Sequence, residues 1–557
     1  MIRPLLAGSA SVSGRKRWFL VLFTVLCVLV AYYGHVAHGI VFENAADLRK
    51  YSGTGYSAVA RTVKPPLGSG LEPLNDKVTQ IHKESTMGRR GPQLPLQPLR
   101  GNFTASDVPC DESYIDSWYT LSDEKYCEKI STLVFERLRK GSTTSSFPAP
   151  NIGASDALAS LIERQHDLHM RVASGKEPPG QRYLIWSLSG GVGNRVQALV
   201  STFMAAMLSG RVLLMKDWFS KGSGKVSTAK RLHDLQLEDL DILFNSEWSK
   251  NEDLLCPALP MMSLRVFREK YPHYFTDAQY SLQHVKVDIT AKHDHSNKRW
   301  NRILCKNLTQ SFRQRFVYIW TNQYFLPILF ANPVHSDQMK ALFPPSDDGR
   351  VDAFGPLVRF LFLPHRVVMQ RAHEFICRNF KGKRVLGLQV RAFRAGGMDT
   401  MASTFSTCAN QVYKTETASD QLYFVASMHS EVRDKLIKIY GKERLLFLDE
   451  PRERQGTGDL TLDREAVADM FILMHTGDFL LSPGSTFGLL AAGYRSFLPV
   501  RVHRSQRYGV CSRMESSQPC FGSWLSYDFI SQKAQAGNTY TCKVNPIPHE
   551  LDNCLKT

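Results

Sequence analysis

The sequence predicts an α/β protein: two Rossmann-like regions facing a cleft, preceded by a single transmembrane helix and a stem. Three observations carry that prediction. An apolar run, WFLVLFTVLCVLVAYYG (18–34), follows Arg15, Lys16 and Arg17. A strand, a glycine-rich turn, a helix and a second strand are readable over 183–215. A further series of short apolar runs and amphipathic segments extends from 384 to 494.

The apolar run has no charge from Trp18 to Gly34, close to the about 20 residues that a typical span needs. Basic residues on its N-terminal side keep that side cytoplasmic. No small-residue cleavage site follows, so an uncleaved signal anchor is favoured over a removed signal peptide. This gives a cytoplasmic tail over 1–17, an anchor over 18–41 and a luminal stem over 42–150, where GPQLPLQPLR (91–100) is too rich in proline to continue a helix.

The cysteines fit a luminal compartment. Of 11, Cys27 lies in the apolar run, and Cys110, Cys127, Cys256, Cys305, Cys377, Cys408, Cys511, Cys520, Cys542 and Cys554 form an even set able to pair fully. The last four of these suggest a stapled tail. No CxxC and no His pair at ligand spacing supports zinc. Asn102-Phe-Thr104 and Asn307-Leu-Thr309 are sequons for luminal glycosylation. A net charge of +17 suits an anionic ligand, a nucleic acid or a membrane surface, and no nucleic-acid motif appears.

An acceptor-side α/β region is expected over 151–380. It contains a helix near 155–172, a buried strand YLIWSLS (183–189), the turn SGGVGNR (189–195), a helix over 196–210 ending at Gly210, and a strand RVLLM (211–215). FVYIWTNQYFLPILF (316–330) reads as core. A nucleotide-binding region over 381–557 has strands at 384–391, 421–427, 444–450 and 478–483, and helices over 429–440, 463–475 and 484–494.

In open parallel sheets the ligand lies beyond the carboxyl ends of the strands. Arg391, Ser427, Asp449, Glu450 and the Ser482–Thr486 turn fall there. An arginine and a helix N-terminus bearing hydroxyls make a phosphate site. SGGVGNR offers a second rim. It is not a P-loop, and Val196 breaks the dinucleotide pattern that Gly191 and Gly193 begin, although Asp217 could mimic its ribose-binding acid. Ser485 also fits a plain helix cap, and Asp469 fits a solvated helix face as well as a sugar contact.

WSLSGGVGNRVQALVSTFMAAMLSGRVLLM resembles the nucleotide-sugar motif of the plant xyloglucan fucosyltransferase family, and the similarity continues in order. It takes in TNQYFLP (321–327), ALFPP (341–345), LVRFLFLP (357–364), LGLQVRAF (386–393), AVADMFILMHTGDFLLSPGSTFG (466–488) and CSRMESSQPCF (511–521). The resemblance implies a type II Golgi membrane enzyme of GT-B-like fold. It implies inverting transfer of L-fucose from GDP-fucose, in α1,2 linkage, to galactose of a wall polysaccharide or glycoprotein glycan. It assigns Arg391 to the diphosphate, Asn194 and Arg195, with Gly191 and Gly193, to the turn around donor and acceptor, and Ser485, Thr486 and Phe487 to the nucleotide.

No cofactor and no metal are expected, because Arg391 and the helix N-terminus can neutralise the departing diphosphate. The D-x-D of LQLEDLDIL (239–241) reads better as part of an amphipathic helix. Asn322, with Arg391 and Asp469, is a candidate at the chemistry. Yet the family has Asp at position 322, and its His before LVRFLFLP is replaced by Gly355 and Pro356. The alternatives are a same-fold transferase using another nucleotide-sugar donor and a catalytically silent carbohydrate-binding relative. Nucleic acid is not an expected partner, and a homodimer is compatible with the sequence.

Overall fold

Two helices open the folded part, α1 (Glu112–Tyr119) and α2 (Asp123–Lys140). Asp111 caps α1 by accepting the Tyr114 N–H at 2.8 Å. Tyr126, Ile130, Val134 and Leu138 recur every fourth residue on α2, and all are buried in the main core. The stem expected over 42–150 is therefore corrected: its C-terminal part belongs to the globular fold. The polar composition of DEKYCEKISTLVFERLRK concealed a one-sided apolar stripe. Disulfides Cys110–Cys377 and Cys127–Cys256 tie these helices to the rest of the chain.

The computed structural model describes residues 108–140, 148–187, 191–215, 255–256, 258–275, 282–286, 303–347, 349–391, 398–412, 421–448, 460–503, 510–514 and 516–519. All of them lie in the compact unit Arg90–Thr557. The apolar run 18–34, the DLD segment, Asn102, Asp217, Asp449 and Glu450 lie outside the described residues. Among those described, no helix is long and apolar enough to cross a membrane.

The first sheet follows α3 (Asp156–Ala173). Its early elements are β1 (Tyr183–Ser187), α4 (Val192–Ser209) and β2 (Val212–Met215). The chain continues through β3 (Leu255–Cys256), α5 (Leu264–Lys270), β4 (Leu282–Lys286), α6 (Leu308–Ser311) and β5 (Phe316–Trp320). The order is β2-β1-β5-β4, and every pairing is parallel. All five residues of β1 are buried, as its unbroken apolar run requires. The helix after β1 starts at Val192, not at 196. Gly191 is its N-cap in extended backbone, so residues 192–195 of the segment read as a turn form the first turn of α4. Gly210 ends α4 in the left-handed region, as expected.

Four helices and a short strand bridge to the second sheet: α7 (Leu326–Ala331), α8 (Ser336–Leu342), α9 (Phe354–Leu361), β6 (Leu363–Pro364) and α10 (Arg366–Asn379). The second sheet then unfolds as β7 (Arg384–Val390), α11 (Met398–Val412), β8 (Gln421–Ser427), α12 (Ser430–Tyr440) and β9 (Leu445–Leu446). It closes with α13 (Leu460–Met474), β10 (Asp478–Leu481), α14 (Thr486–Arg495), β11 (Val500–Val502) and β12 (Cys511–Arg513). Its order is β12-β11-β10-β7-β8-β9, parallel except for the β11–β12 pair. Of the expected strand 444–450, Leu445 and Leu446 are paired among the described residues 444–448. Cys408–Cys511 links α11 to β12.

Both sheets reverse direction once among the described strands. The chain runs outward from β1 to β2, then returns through β5 on the other side of β1. It runs from β7 through β8 to β9, then returns to β10 on the other side of β7. The crevices are therefore expected beyond the carboxyl ends of β1 and β5, and of β7 and β10.

Candidate functional site

The second sheet builds a tight rim at its reversal point. Parallel pairing sets Leu481 beside Gln389. The Ser482 N–H donates to the Gln389 carbonyl at 3.1 Å, and the Ser482 hydroxyl donates to the same oxygen at 3.2 Å. The Ser482 oxygen in turn accepts the Arg391 N–H at 2.8 Å. Arg391 is thereby fixed beside the turn that leads into α14. Burial lowers the pKa of its half-buried guanidinium from the ordinary arginine value. A cation partly withdrawn from water binds an anion more strongly than an exposed one.

Gly484 takes a left-handed φ of 71°, which turns the chain into α14. Ser485 occupies the N-cap position but makes no capping bond. Its hydroxyl is buried and has no hydrogen-bond partner among the described residues. The plain helix-cap reading therefore fails. A buried hydroxyl without a partner at a helix N-terminus is poised for a ligand oxygen. Thr486 and Phe487, half-buried, begin α14.

Sequence reasoning missed Gln389. Its side chain is buried between β7, β10 and α14, with its oxygen 3.4 Å from the Ser482 nitrogen. A Cβ on Gly488 would lie 3.0 Å from that oxygen, so the glycine leaves it room. The available signal was an amide in an otherwise apolar strand, VLGLQV.

The first sheet supplies the facing elements. Gly191 is exposed, Asn194 and Arg195 are half-buried on the first turn of α4, and Gly193 is buried. A Cβ at Gly193 would lie 2.6 Å from the Phe487 nitrogen and 2.7 Å from the Thr486 oxygen. Gly193 thus serves helix-to-helix packing at the start of α14. One turn along α4, buried Gln197 donates to the Asn322 carbonyl at 3.0 Å. Ser201 accepts the N–H groups of Phe325 and Leu326 at 2.9 and 3.2 Å. The segment after β5 is therefore fastened along α4. The Asn322 side-chain oxygen accepts from Gln323 Nε2 at 2.5 Å.

These contacts form one continuous path. It runs from Asn322 through Gln197 and α4 to Gly193, across to Thr486 and Phe487, and back through Ser485 and Ser482 to Arg391. Asp469 is 2% exposed within α13, so it presents no solvated face.

A polar network braces the segment behind Asn322. The Tyr324 hydroxyl donates to Gln518 Oε1 at 2.8 Å, and Gln518 Nε2 donates to Asp352 Oδ1 at 2.7 Å. Ser496 donates to Asp352 Oδ2 at 2.5 Å and accepts from Arg359 at 2.7 Å. A Cβ at Gly355 would lie 2.3 Å from Asp352 Oδ2. A side chain at that position, where the sequence departs from the resembled family's histidine, would have to displace the Asp352, Ser496 and Arg359 side chains of this network.

Among the described residues one cluster, Cys110, His373 and Cys377, has metal-ligand spacing. Both of its sulfurs are joined in a disulfide, so no thiolate is offered.

The chain was compared with known proteins. No protein-family model matches the chain. Probable fucosyltransferase 7 of Arabidopsis thaliana is 24% identical over 478 residues, covering 78% of this chain and 84% of that protein. The galactoside 2-alpha-L-fucosyltransferase of the same plant is 24% identical over 381 residues, covering 62% of this chain and 64% of its own length. Fucosyltransferase 2 is 23% identical over 404 residues, 67% of this chain and 71% of that protein. A solved Arabidopsis thaliana FUT1 mutant in complex with GDP is 21% identical, with a TM-score of 0.48, covering 69% of this chain and 88% of that one. The sequence matches relate the chain to the plant fucosyltransferases.

Proposed function

We propose that this relative of the plant fucosyltransferases is an inverting fucosyltransferase. It transfers L-fucose from GDP-fucose to a galactosyl hydroxyl, in α1,2 linkage, on a wall polysaccharide such as xyloglucan or on a glycoprotein glycan. We also place it as a single-pass type II protein of the Golgi membrane, anchored through 18–41 with its catalytic part luminal. The observation that carries the reading is the joining of Arg391 to the Ser482–Ser485 turn, with the buried Ser485 hydroxyl at the start of α14.

The chemistry follows from that arrangement. The diphosphate sits against the Arg391 guanidinium, the first N–H groups of α14 and the Ser485 hydroxyl. As the bond from fucose C1 to the phosphate oxygen breaks, its electron pair leaves with GDP. Arg391 and the helix dipole stabilise the growing charge, so no metal is required for that step. The galactose hydroxyl forms the new bond to C1 from the opposite face. Asn194, Arg195 and Asn322 border its approach, and its proton passes late to water, after C1 has become oxocarbenium-like. Asn322 holds a sugar hydroxyl but takes no proton at neutral pH.

The test is GDP release by the purified luminal part with GDP-fucose, galactosylated acceptors and a chelator. No release while an active relative works alongside would refute the reading. Release from a different nucleotide sugar would identify a same-fold transferase with another donor. The amide at 322 favours one further reading, a silent carbohydrate-binding relative, which predicts GDP binding without turnover.

A further inference from the structure

A cavity of about 690 Å³ opens beside the residues that lead into β5. Its lining includes Asn307, Gln310, Arg313, Gln314 and Val334. It lies at the amino end of the first sheet, since α6 and the 312–315 segment precede β5. The proposed donor and acceptor rim lies at the carboxyl ends. The cavity is thus separate from the site described above.

Asn307 is the first residue of the sequon Asn307-Leu-Thr309. It caps α6, with its Oδ1 accepting the Thr309 N–H at 2.9 Å. That bond uses the amide oxygen and leaves the Nδ2 group uninvolved in it. Asn307 is half-buried at the cavity wall, and Thr309 is exposed. Gln314 Oε1 is buried and has no hydrogen-bond partner among the described residues, a vacancy that a ligand donor would fill. Val334 is 50% exposed and offers an apolar patch at the same wall. The buried Arg211 guanidinium donates to the Gln314 and Arg315 carbonyls at 2.9 and 3.1 Å, which fixes that wall.

We propose that Asn307 carries an N-linked glycan whose first N-acetylhexosamine is seated in this cavity. The amide N–H of that sugar donates to Gln314 Oε1, its methyl group covers Val334, and its hydroxyls meet Gln310 and Arg313. In the modification the Asn307 Nδ2–C1 bond forms as the C1–phosphate bond of a lipid-linked oligosaccharide breaks. The diphosphate leaves with the bonding pair, and Nδ2 loses a proton. The proposal rests on the luminal placement given above, which the experiment tests separately.

The full chain, with a C-terminal tag, is expressed in a eukaryotic secretory host. Peptide mass spectrometry after enzymatic deglycosylation in heavy-oxygen water should mark Asn307. Asn307→Asp, which keeps an acceptor for the Thr309 N–H, should lose one glycan in mass, and Thr309→Ser should retain it. Native deglycosylation at Asn307 should be about tenfold slower than after denaturation, because the seated sugar must first swing out. Gln314→Ala combined with Val334→Asp should remove that protection without lowering occupancy. An unmodified Asn307 while the tag resists protease in sealed microsomes overturns the glycan and leaves the luminal reading standing. A digested tag overturns both. A glycan removed equally fast before and after denaturation overturns the seat.

Discussion

Gly193 and Thr486 meet backbone to backbone: a Cβ on the glycine would lie 2.6 Å from the Thr486 carbonyl carbon. This contact joins the first turn of α4 to the first turn of α14, and hence the rim of one sheet to the rim of the other. The neighbouring atoms are backbone, so they cannot swing aside. Gly193→Ala should therefore force α14 away and cost about 1–3 kcal/mol of stability. It should also weaken GDP binding about tenfold, because the N–H groups of α14 move with it. Thermal melts with and without GDP, together with calorimetric titration, check both effects. Unchanged melting and affinity would mean that the contact does not position the site.

Arg391 is held through its backbone N–H, which donates to the Ser482 hydroxyl oxygen at 2.8 Å. Arg391→Ala keeps the N–H bond to Ser482, so the fold should survive. Loss of the guanidinium should lower kcat by about a hundredfold or more if it stabilises departing diphosphate. Arg391→Lys should recover only part, since an ammonium lacks the planar fork. Initial rates with saturating donor decide this, and a near-normal rate for the alanine variant removes Arg391 from the chemistry.

The central strands β1 and β7 could be read from sequence because buried parallel strands announce themselves as unbroken apolar runs. YLIWS and VLGLQV did so, and Arg391 followed as a residue just past a strand end, whereas Asn322 came from the family resemblance and the strand order of both sheets appears only in the fold. What stayed hidden depended on distant partners. Tyr126, Ile130, Val134 and Leu138 form a stripe whose meaning appears only once α2 is packed. Gln518 meets Asp352 across 166 residues of sequence, and no local pattern foretells that bond. The packing role of Gly193 was hidden because its neighbour, Thr486, lies far along the chain.

Asp478, the first residue of the strand that carries the site turn, forms an ion pair of two parallel bonds with Arg513, at 2.7 and 3.1 Å. Asp478 is fully buried, and that desolvation raises its pKa from the ordinary aspartate value despite the arginine. A carboxylate whose folded pKa is raised binds its proton more tightly when folded. Its contribution to stability therefore declines as pH rises from about 4 through the folded pKa. Arg513→Leu removes the paired guanidinium, leaving the Phe479 N–H as the hydrogen bond to the buried carboxylate, and raises its pKa further. The variant should lose about 3–5 kcal/mol at pH 7 and regain part of it on acidification towards pH 5. Denaturant melts across that range test the sign, and a loss that grows on acidification would contradict it.

Asn322 sits where the resembled family carries Asp, and its surroundings accommodate either side chain. Gln197 holds only its backbone carbonyl, and Gln323 Nε2 donates to its side-chain oxygen. A carboxylate accepts that second bond at least as well. Asn322→Asp should therefore fold normally while supplying a group able to take the acceptor's proton. If proton removal limits the present enzyme, turnover on a galactosylated acceptor should rise about a hundredfold, the low end for general base catalysis. The gain should vanish as pH falls to about 4, where an ordinary carboxylate is protonated. GDP release without acceptor should stay unchanged, because the donor site is untouched. An unaltered rate with a flat pH profile would show that position 322 does not govern the proton, and that bond breaking at C1 sets the pace.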